Sequence, residues 1–354
     1  MDLSLLLLTI ISRLDGERSI YAGLHLLRGK RSGQTLQDVE YYRLRDFFCL
    51  LPKLQIELFD EAVEQLKEAR YISINEDSVV FLTEKGKEVM HTLPIYQFNG
   101  WDYRGREHVF FSRLSLIVQT LSYFRAGEKS FMPLQNDYNI QLFVKELLLK
   151  QGNLDRTFSN QLFEELQQSI AQSNMNDSQK TIFVHRLGGY NNTGWTWKQL
   201  SDEMNITPFT LSLYFIESLH MLLHTINQSS RYQLLAKLLT NIKVSTYLTE
   251  STVKTKELFN RGMSMQEISQ LRNLKMSTIE DHFVEISIND TAFPIREFVS
   301  SIDFEAVVAK STELGTKRLR LLKDEFPSLT YFQLRLILGG QSKGGAKWIS
   351  KQSY

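Results

Sequence analysis

Cysteine is almost absent: Cys49 is the single one in 354 residues. That excludes a disulfide scaffold, a CxxC zinc knuckle and an iron–sulfur centre within one chain, and it fits a reducing compartment. Phe47, Phe48, Leu50 and Leu51 surround it, so a buried, inert thiol is expected. Proline is scarce, with six, which leaves long stretches free to be helical. No apolar run approaches the roughly 20 residues that cross a bilayer. The longest, residues 5–11, follows Asp2 with no basic residue before it. Arg13, Asp15, Glu17 and Arg18 come after it, where a cleaved leader would have small residues. It reads as the buried first helix of a soluble, cytoplasmic protein with no membrane contact. Net charge is missing too: 41 Lys and Arg against 40 Asp and Glu leave +1. Affinity for nucleic acid would have to come from local patches.

What is present is apolar and periodic. Hydrophobic residues make up 42%, with 22 Phe, 14 Tyr and 4 Trp, enough for two or three packed domains. Residues 3–14, 19–28, 35–50 and 56–70 show three-to-four spacing, as in the stripe Ile56, Phe59, Val63, Leu66 and Ala69. Residues 71–74 and 79–81 then alternate around Asn75-Glu76-Asp77, a hairpin, and Thr83 caps a short helix. Helices followed by a small hairpin predict a winged-helix domain over 1–92. A linker rich in Gly and Pro leads to a helical middle domain over 106–240. There, residues 107–124 and 140–150 read as core. The Gln/Asn/Ser-rich stretch 159–180, with Leu162, Phe163, Leu166 and Ile170, reads as an exposed amphipathic helix. A third region covers 245–339, and 340–354, with Lys343, Lys347 and Lys351 and no acid, reads as a flexible basic tail. The fold class is therefore mainly α. Residues 301–354 hold nine cations against five acids, whereas 51–100 hold five against nine. A phosphate-facing patch is accordingly expected near the C-terminus or on 28–31.

The sharpest motif is 262–283. Gly262 ends one helix, and Ser264 with Glu267 forms a capping box for the next. Ile268 and Leu271 are expected to point inward. A turn at 273–276 leads to a helix capped by Ser277, with Ile279 and Phe283 inward. This is helix-turn-helix spacing, in which the second helix enters the major groove by its leading residues. Lys275, Ser277, Thr278, Asp281 and His282 would then lie nearest the DNA. Glu280 and Asp281 are unfavourable beside phosphate, although an acid can accept from a cytosine amino group. A purely protein-packing module is the plainer alternative.

The stretches Gly-Met-Ser-x-x-Glu-Ile-Ser and Ser-Thr-Ile-Glu-x-His resemble the helix-turn-helix domain at the C-terminus of RecQ-type DNA helicases. DTAFPIREFVS and LRLLKDEFPSLTYFQLRLILGG are similar to its remaining helices. GERSIYAGLHLLRGKRSGQTLQD resembles a family of stand-alone Firmicute proteins encoded beside a RecQ-like helicase gene. The resemblance implies a motorless helix-turn-helix protein whose partner, a RecQ-type helicase, is a separate chain.

Two further patches could touch DNA. At 196–216, Thr196 caps, Leu200 and Met204 face inward, Asn205 turns, and Thr207-Pro208 opens the next helix, so Lys198, Thr207 and Thr210 are candidates. A core helix explains the same pattern. Arg28, Lys30, Arg31 and Ser32 join two helices with glycines between and could reach phosphate; a solvated loop is the blander reading. Most aromatics at helical spacing read as core, and Trp195 and Trp197, on a Gly-rich loop, read as an exposed pair for base stacking.

Catalytic patterns are lacking. No Walker A, GxSxG, HExxH, helicase-motor or paired-carboxylate nuclease pattern occurs. Among seven scattered histidines, His220 and His224 share a helical face but lack a third ligand, so neither metal nor cofactor is expected. The expectation is a non-enzymatic DNA-binding accessory protein of the cytoplasm and nucleoid. It would act with a RecQ-type helicase in repair or recombination and would have no small-molecule substrate. A helix-turn-helix transcription regulator and a helicase adaptor without DNA contact are the alternatives.

Overall fold

The computed structural model describes residues 2–128, 130–152 and 156–341. It is mainly helical, with one two-stranded antiparallel sheet. The N-terminal segment carries α1 (Leu3–Leu14), α2 (Tyr21–Leu27), α3 (Gly33–Tyr41) and α4 (Ile56–Glu68). Strands β1 (Ile72–Ile74) and β2 (Val80–Leu82) and helix α5 (Glu84–Met90) follow. Helix α4 buries Phe59, Ala62, Val63 and Leu66, the stripe its sequence spells. Ile72 pairs with Leu82 in the hairpin, and Asn75 Oδ1 accepts from the Val79 amide at 2.8 Å to shape the turn. Thr83 caps α5 through the Gly86 amide. Gly86 is required there, because a Cβ would stand 2.1 Å from the Tyr71 carbonyl.

The predicted helix 35–50 does not run through. Helix α3 stops at Tyr41, Arg43 turns left-handed with φ 55°, and only a 3-10 turn, Arg45–Phe47, follows. Cys49 also departs from expectation: its residue is half-buried rather than buried, with φ 58°.

The middle segment carries α6 (Gly100–Tyr103), α7 (Glu107–Arg125), α8 (Tyr138–Gln151), α9 (Arg156–Gln172) and α10 (Asp177–His185). After these come α11 (Trp197–Met204), α12 (Pro208–Asn227) and α13 (Gln233–Leu238). Helix α12 is the hub, packing on α7, α9, α10 and α11. Phe111 and Phe215 meet edge to face at 4.8 Å in this core. The stretch read as one exposed helix over 159–180 is two helices. Asn176 and Gln179 form a capping box that starts α10, and α9 buries Phe158, Leu162 and Leu166.

The C-terminal segment carries α14 (Glu250–Asn260), α15 (Met265–Arg272), α16 (Met276–Asn289), α17 (Ser301–Glu313), α18 (Leu319–Glu325) and α19 (Tyr331–Gln341). Gly340 and Gln341 complete α19; the rest of the stretch read as a basic tail lies outside the described residues.

Contacts divide the chain into two compact units. One holds the residues up to Leu7, Cys49–Pro52 and Thr92–Val244. The other holds Leu8–Phe48, Lys53–His91 and the segment from Ser245 onward. Most of the stretch read as 1–92 therefore shares a unit with the C-terminal helices, since α3 lies against α16 and α19. The Tyr41 hydroxyl donates to the Arg335 carbonyl at 2.9 Å across that packing. Among the described residues, no single helix is long and apolar enough to cross a membrane.

Candidate nucleic-acid interface

The helix-turn-helix is assembled from α14, α15 and α16 by a polar ladder. Thr249, the N-cap of α14, and Thr252 and Thr255 within it recur every third residue. Glu285 of α16 accepts from the Thr249 amide at 2.5 Å and from the Thr252 hydroxyl at 2.6 Å. One turn away, His282 Nδ1 lies 2.8 Å from Thr255 Oγ1. Arg272, at the end of α15, donates to Thr255 Oγ1 and, at 2.8 Å, to the Ser251 carbonyl. Arg272 Nη1 also lies 3.5 Å from His282 Nδ1, and because a guanidinium can only donate, this contact favours Nδ1 as the acceptor. Burial and the nearby Arg272 charge hold the His282 ring below its ordinary pKa, with Asp281 opposing weakly. The imidazole is a neutral strut between three helices.

Helix α15 has the predicted capping box: the Ser264 hydroxyl accepts from the Glu267 amide, and the Glu267 carboxylate accepts from the Ser264 amide. The Ser264 amide and hydroxyl both donate to Glu267 Oε2 at 2.8 Å and hold that carboxyl below the usual range. Asn273 supplies the left-handed turn at φ 51°. Ile268, Ile279 and Phe283 are fully buried as expected, but Leu271 is not. It is 63% exposed, whereas Arg272, four residues after Ile268, takes the inward position against α14.

Helix α16 begins two residues earlier than expected. Its N-cap is Lys275, extended at ψ 147°, and no side chain caps it. Ser277 already lies inside the first turn, as the second helical residue. The leading amides of α16 therefore present partial positive charge to solvent. Lys275 and Ser277 are exposed there, and Thr278 is half-buried. Asp281 is half-exposed, and its carboxylate is held by Arg335. His282 is 7% exposed and drops out as a DNA contact.

The loop before α3 comes to this face. A Cβ on Gly33 would lie 3.5 Å from the Asp281 carboxyl carbon. Lys30 and Arg31 are exposed, with Arg31 Nη2 donating to the Tyr247 carbonyl at 3.1 Å. Arg28 and Ser32 are committed elsewhere. Arg28 Nε donates to the Leu54 carbonyl at 2.8 Å, and the Ser32 hydroxyl caps α3. Of the sequence candidates, the structure thus gathers Lys30, Arg31, Lys275 and Ser277 in one unit. Arg335, Arg272 and the threonine ladder were missed. The three-residue spacing Thr249–Thr252–Thr255 was the available signal for the ladder; nothing local marked Arg335.

The second motif has the geometry of a helix-turn-helix but belongs to the other unit. Helices α11 and α12 are bent by 102° at their break, with Thr196 in a capping box, Asn205 at φ 53° and Thr207 capping α12. Lys198 and Thr207 are exposed and Thr210 is half-buried. Thr207 is occupied by Thr210, donating to its hydroxyl at 3.0 Å and accepting from its amide. Met204 is half-buried rather than inward-facing. Trp195 and Trp197 are not an exposed pair. Trp195 packs against His185 at 4.2 Å with the rings tilted, while Trp197 meets Phe215 at 5.5 Å and lies under the Arg186 guanidinium. His220 is buried, its Nδ1 accepting from the Asn99 amide at 2.9 Å, while His224 is exposed.

A family model described as a helix-turn-helix domain matches residues 251–338, the span from α14 to α19. Protein YpbB of Bacillus subtilis (strain 168) is 30% identical over 345 residues, 95% of this chain and 97% of that protein. The chain belongs to the YpbB family. No solved structure matches it. In this YpbB-family chain the helix-turn-helix match falls on the segment whose exposed turn carries Lys275 and Ser277.

Proposed function

We propose that this chain is a non-enzymatic DNA-binding protein. It grips the duplex through the leading end of α16 and the loop carrying Lys30 and Arg31. It serves a RecQ-type helicase, held on a separate chain, during repair or recombination in the cytoplasm at the nucleoid. The supporting observation is the Asp281–Arg335 ion pair: it offsets one of the two neighbouring acids on the presumed recognition helix, the other being the half-buried Glu280, and leaves Lys275 exposed at its tip. Phosphate would approach the uncapped first-turn amides, and Ser277 and Thr278 would make hydroxyl contacts to backbone or base edges. The helicase assignment rests on the sequence resemblance. A second reading, a protein adaptor, is favoured by Leu271, an apolar side chain 63% exposed beside the turn.

Fluorescence anisotropy with duplex, forked and single-stranded DNA, with and without the cognate helicase, tests both. The DNA-binding reading expects measurable affinity at low salt that falls steeply as salt rises. Negligible affinity for all three substrates at low ionic strength would reject it, and tight helicase binding alone would favour the adaptor.

A further inference from the structure

The middle unit holds a cleft of about 540 Å³ that the DNA-binding reading does not use. It lies between α7 and α9, with Val184 and Leu187 at the end of α10 on a third side. This is within the ordinary range for small-ligand sites. Its floor is aliphatic. Leu162, Leu166 and Ile170 recur along one face of α9, opposite Val118 and Leu121 of α7. Three of the four polar lining residues gather toward one end. Arg125 closes one end, where its Nη1 reaches Asn160 Oδ1 at 3.3 Å, and Ser159 sits in the same turn as Asn160. Ser122 is one turn from Arg125, and Gln167 is the remaining polar lining residue. Ser159 is 4% exposed, yet among the described residues its hydroxyl has no hydrogen-bond partner, a state that buried hydroxyls rarely keep. From Ser159 to Ile170 the helix rises about 16 Å.

We propose that this cleft binds a monoanionic amphiphile, a long-chain carboxylate. Its head would accept from the Arg125 guanidinium and the Ser159 hydroxyl, and its chain would lie along Leu162, Leu166 and Ile170. A single cation and an orphan donor at one end of an aliphatic trough fit one head group on one tail. A partner helix would call for polar residues along both rims. The exposed Phe163 and Val184 form an apolar lip over the chain.

The test titrates the full chain with cis-parinaric acid, which brightens on leaving water, below the concentration at which it aggregates. Saturable binding of one probe per chain is expected. Arg125→Gln should weaken it by about tenfold, the loss of one charge-assisted hydrogen bond. Val184→Glu should abolish it by placing an acid on the lip. Both positions are exposed, so circular dichroism should show unchanged folding. The alcohol with the same chain should displace the probe less well than the acid and be indifferent to Arg125→Gln. No saturable signal, or equal binding by wild type and both variants, would overturn the site. Equal competition by acid and alcohol would overturn the carboxylate assignment.

Discussion

Arg335 on α19 holds the carboxylate of Asp281 on α16, although the two are 54 residues apart in sequence. The Arg335 side chain is 15% exposed and that of Asp281 50%. Arg335 Nε also donates to Gln37 Oε1 of α3 at 3.2 Å, so one side chain ties three helices together. An acid that faces phosphate would repel it; an acid already occupied by a guanidinium does not.

Removing that guanidinium should therefore weaken DNA binding without removing any DNA contact. Arg335→Gln is expected to lower duplex affinity several-fold in anisotropy titrations. Asp281→Asn placed on top of it should recover most of the loss. If the double variant binds no better than Arg335→Gln alone, the ion pair has no electrostatic part in binding.

Charge reversal at the exposed cations should act on the salt dependence. A face that neutralises three phosphates gives a slope of log affinity on log salt of about −0.9 for each. Lys275→Glu should make the slope shallower by about one unit, and Lys30→Glu with Arg31→Glu by about two. Arg28→Glu should instead lower thermal stability, since its guanidinium is bonded to the Leu54 carbonyl.

Stability of the helix-turn-helix should hinge on Phe283. Its ring is fully buried and meets Phe259 at 4.9 Å and Phe298 at 5.6 Å. Phe283→Ala should cost about 3–5 kcal/mol, the usual penalty for emptying such a site. Urea denaturation measures it.

His282 should make the same unit acid-sensitive. Its pKa is held below the ordinary value by burial and by Arg272, so the unfolded chain takes up the proton first. Its contribution is complete above the unfolded value of about 6.5 and declines as pH falls below it. Asp38 acts in the opposite direction. Burial outweighs its bridge to Arg18 and pushes its carboxyl up to about 6, so the folded chain holds that proton more tightly. His282→Gln should therefore show less loss of stability between pH 7 and 5 than wild type, in melts followed by circular dichroism. Identical pH profiles would remove the strut role.

The local features of the site were legible because they are written in short spacings. The Ser264–Glu267 box, the left-handed Asn273 and the buried Ile268, Ile279 and Phe283 all follow from residues within about two turns of each other. Ser277 misled because a serine before an apolar run looks like a cap, whereas the helix already begins at Met276 with Lys275 as its N-cap. His282 misled in a similar way: its chemistry suits DNA, but its face belongs to Thr255. The docking of α3 on α16 and the Arg335 clasp were illegible, since both join residues hundreds or tens of positions apart with no periodic signature. The cleft between α7 and α9 was hidden for a different reason. Its aliphatic face lies within a Gln- and Ser-rich stretch whose composition suggested only a solvated helix.

Photocrosslinking from p-benzoylphenylalanine at position 277 tests the central assignment most directly. The leading end of α16 should yield a UV-dependent adduct with duplex DNA that disappears at high salt. Position 305, on α17, which packs on α18 and α19, should yield none. A strong adduct from 305 with none from 277 would contradict the account.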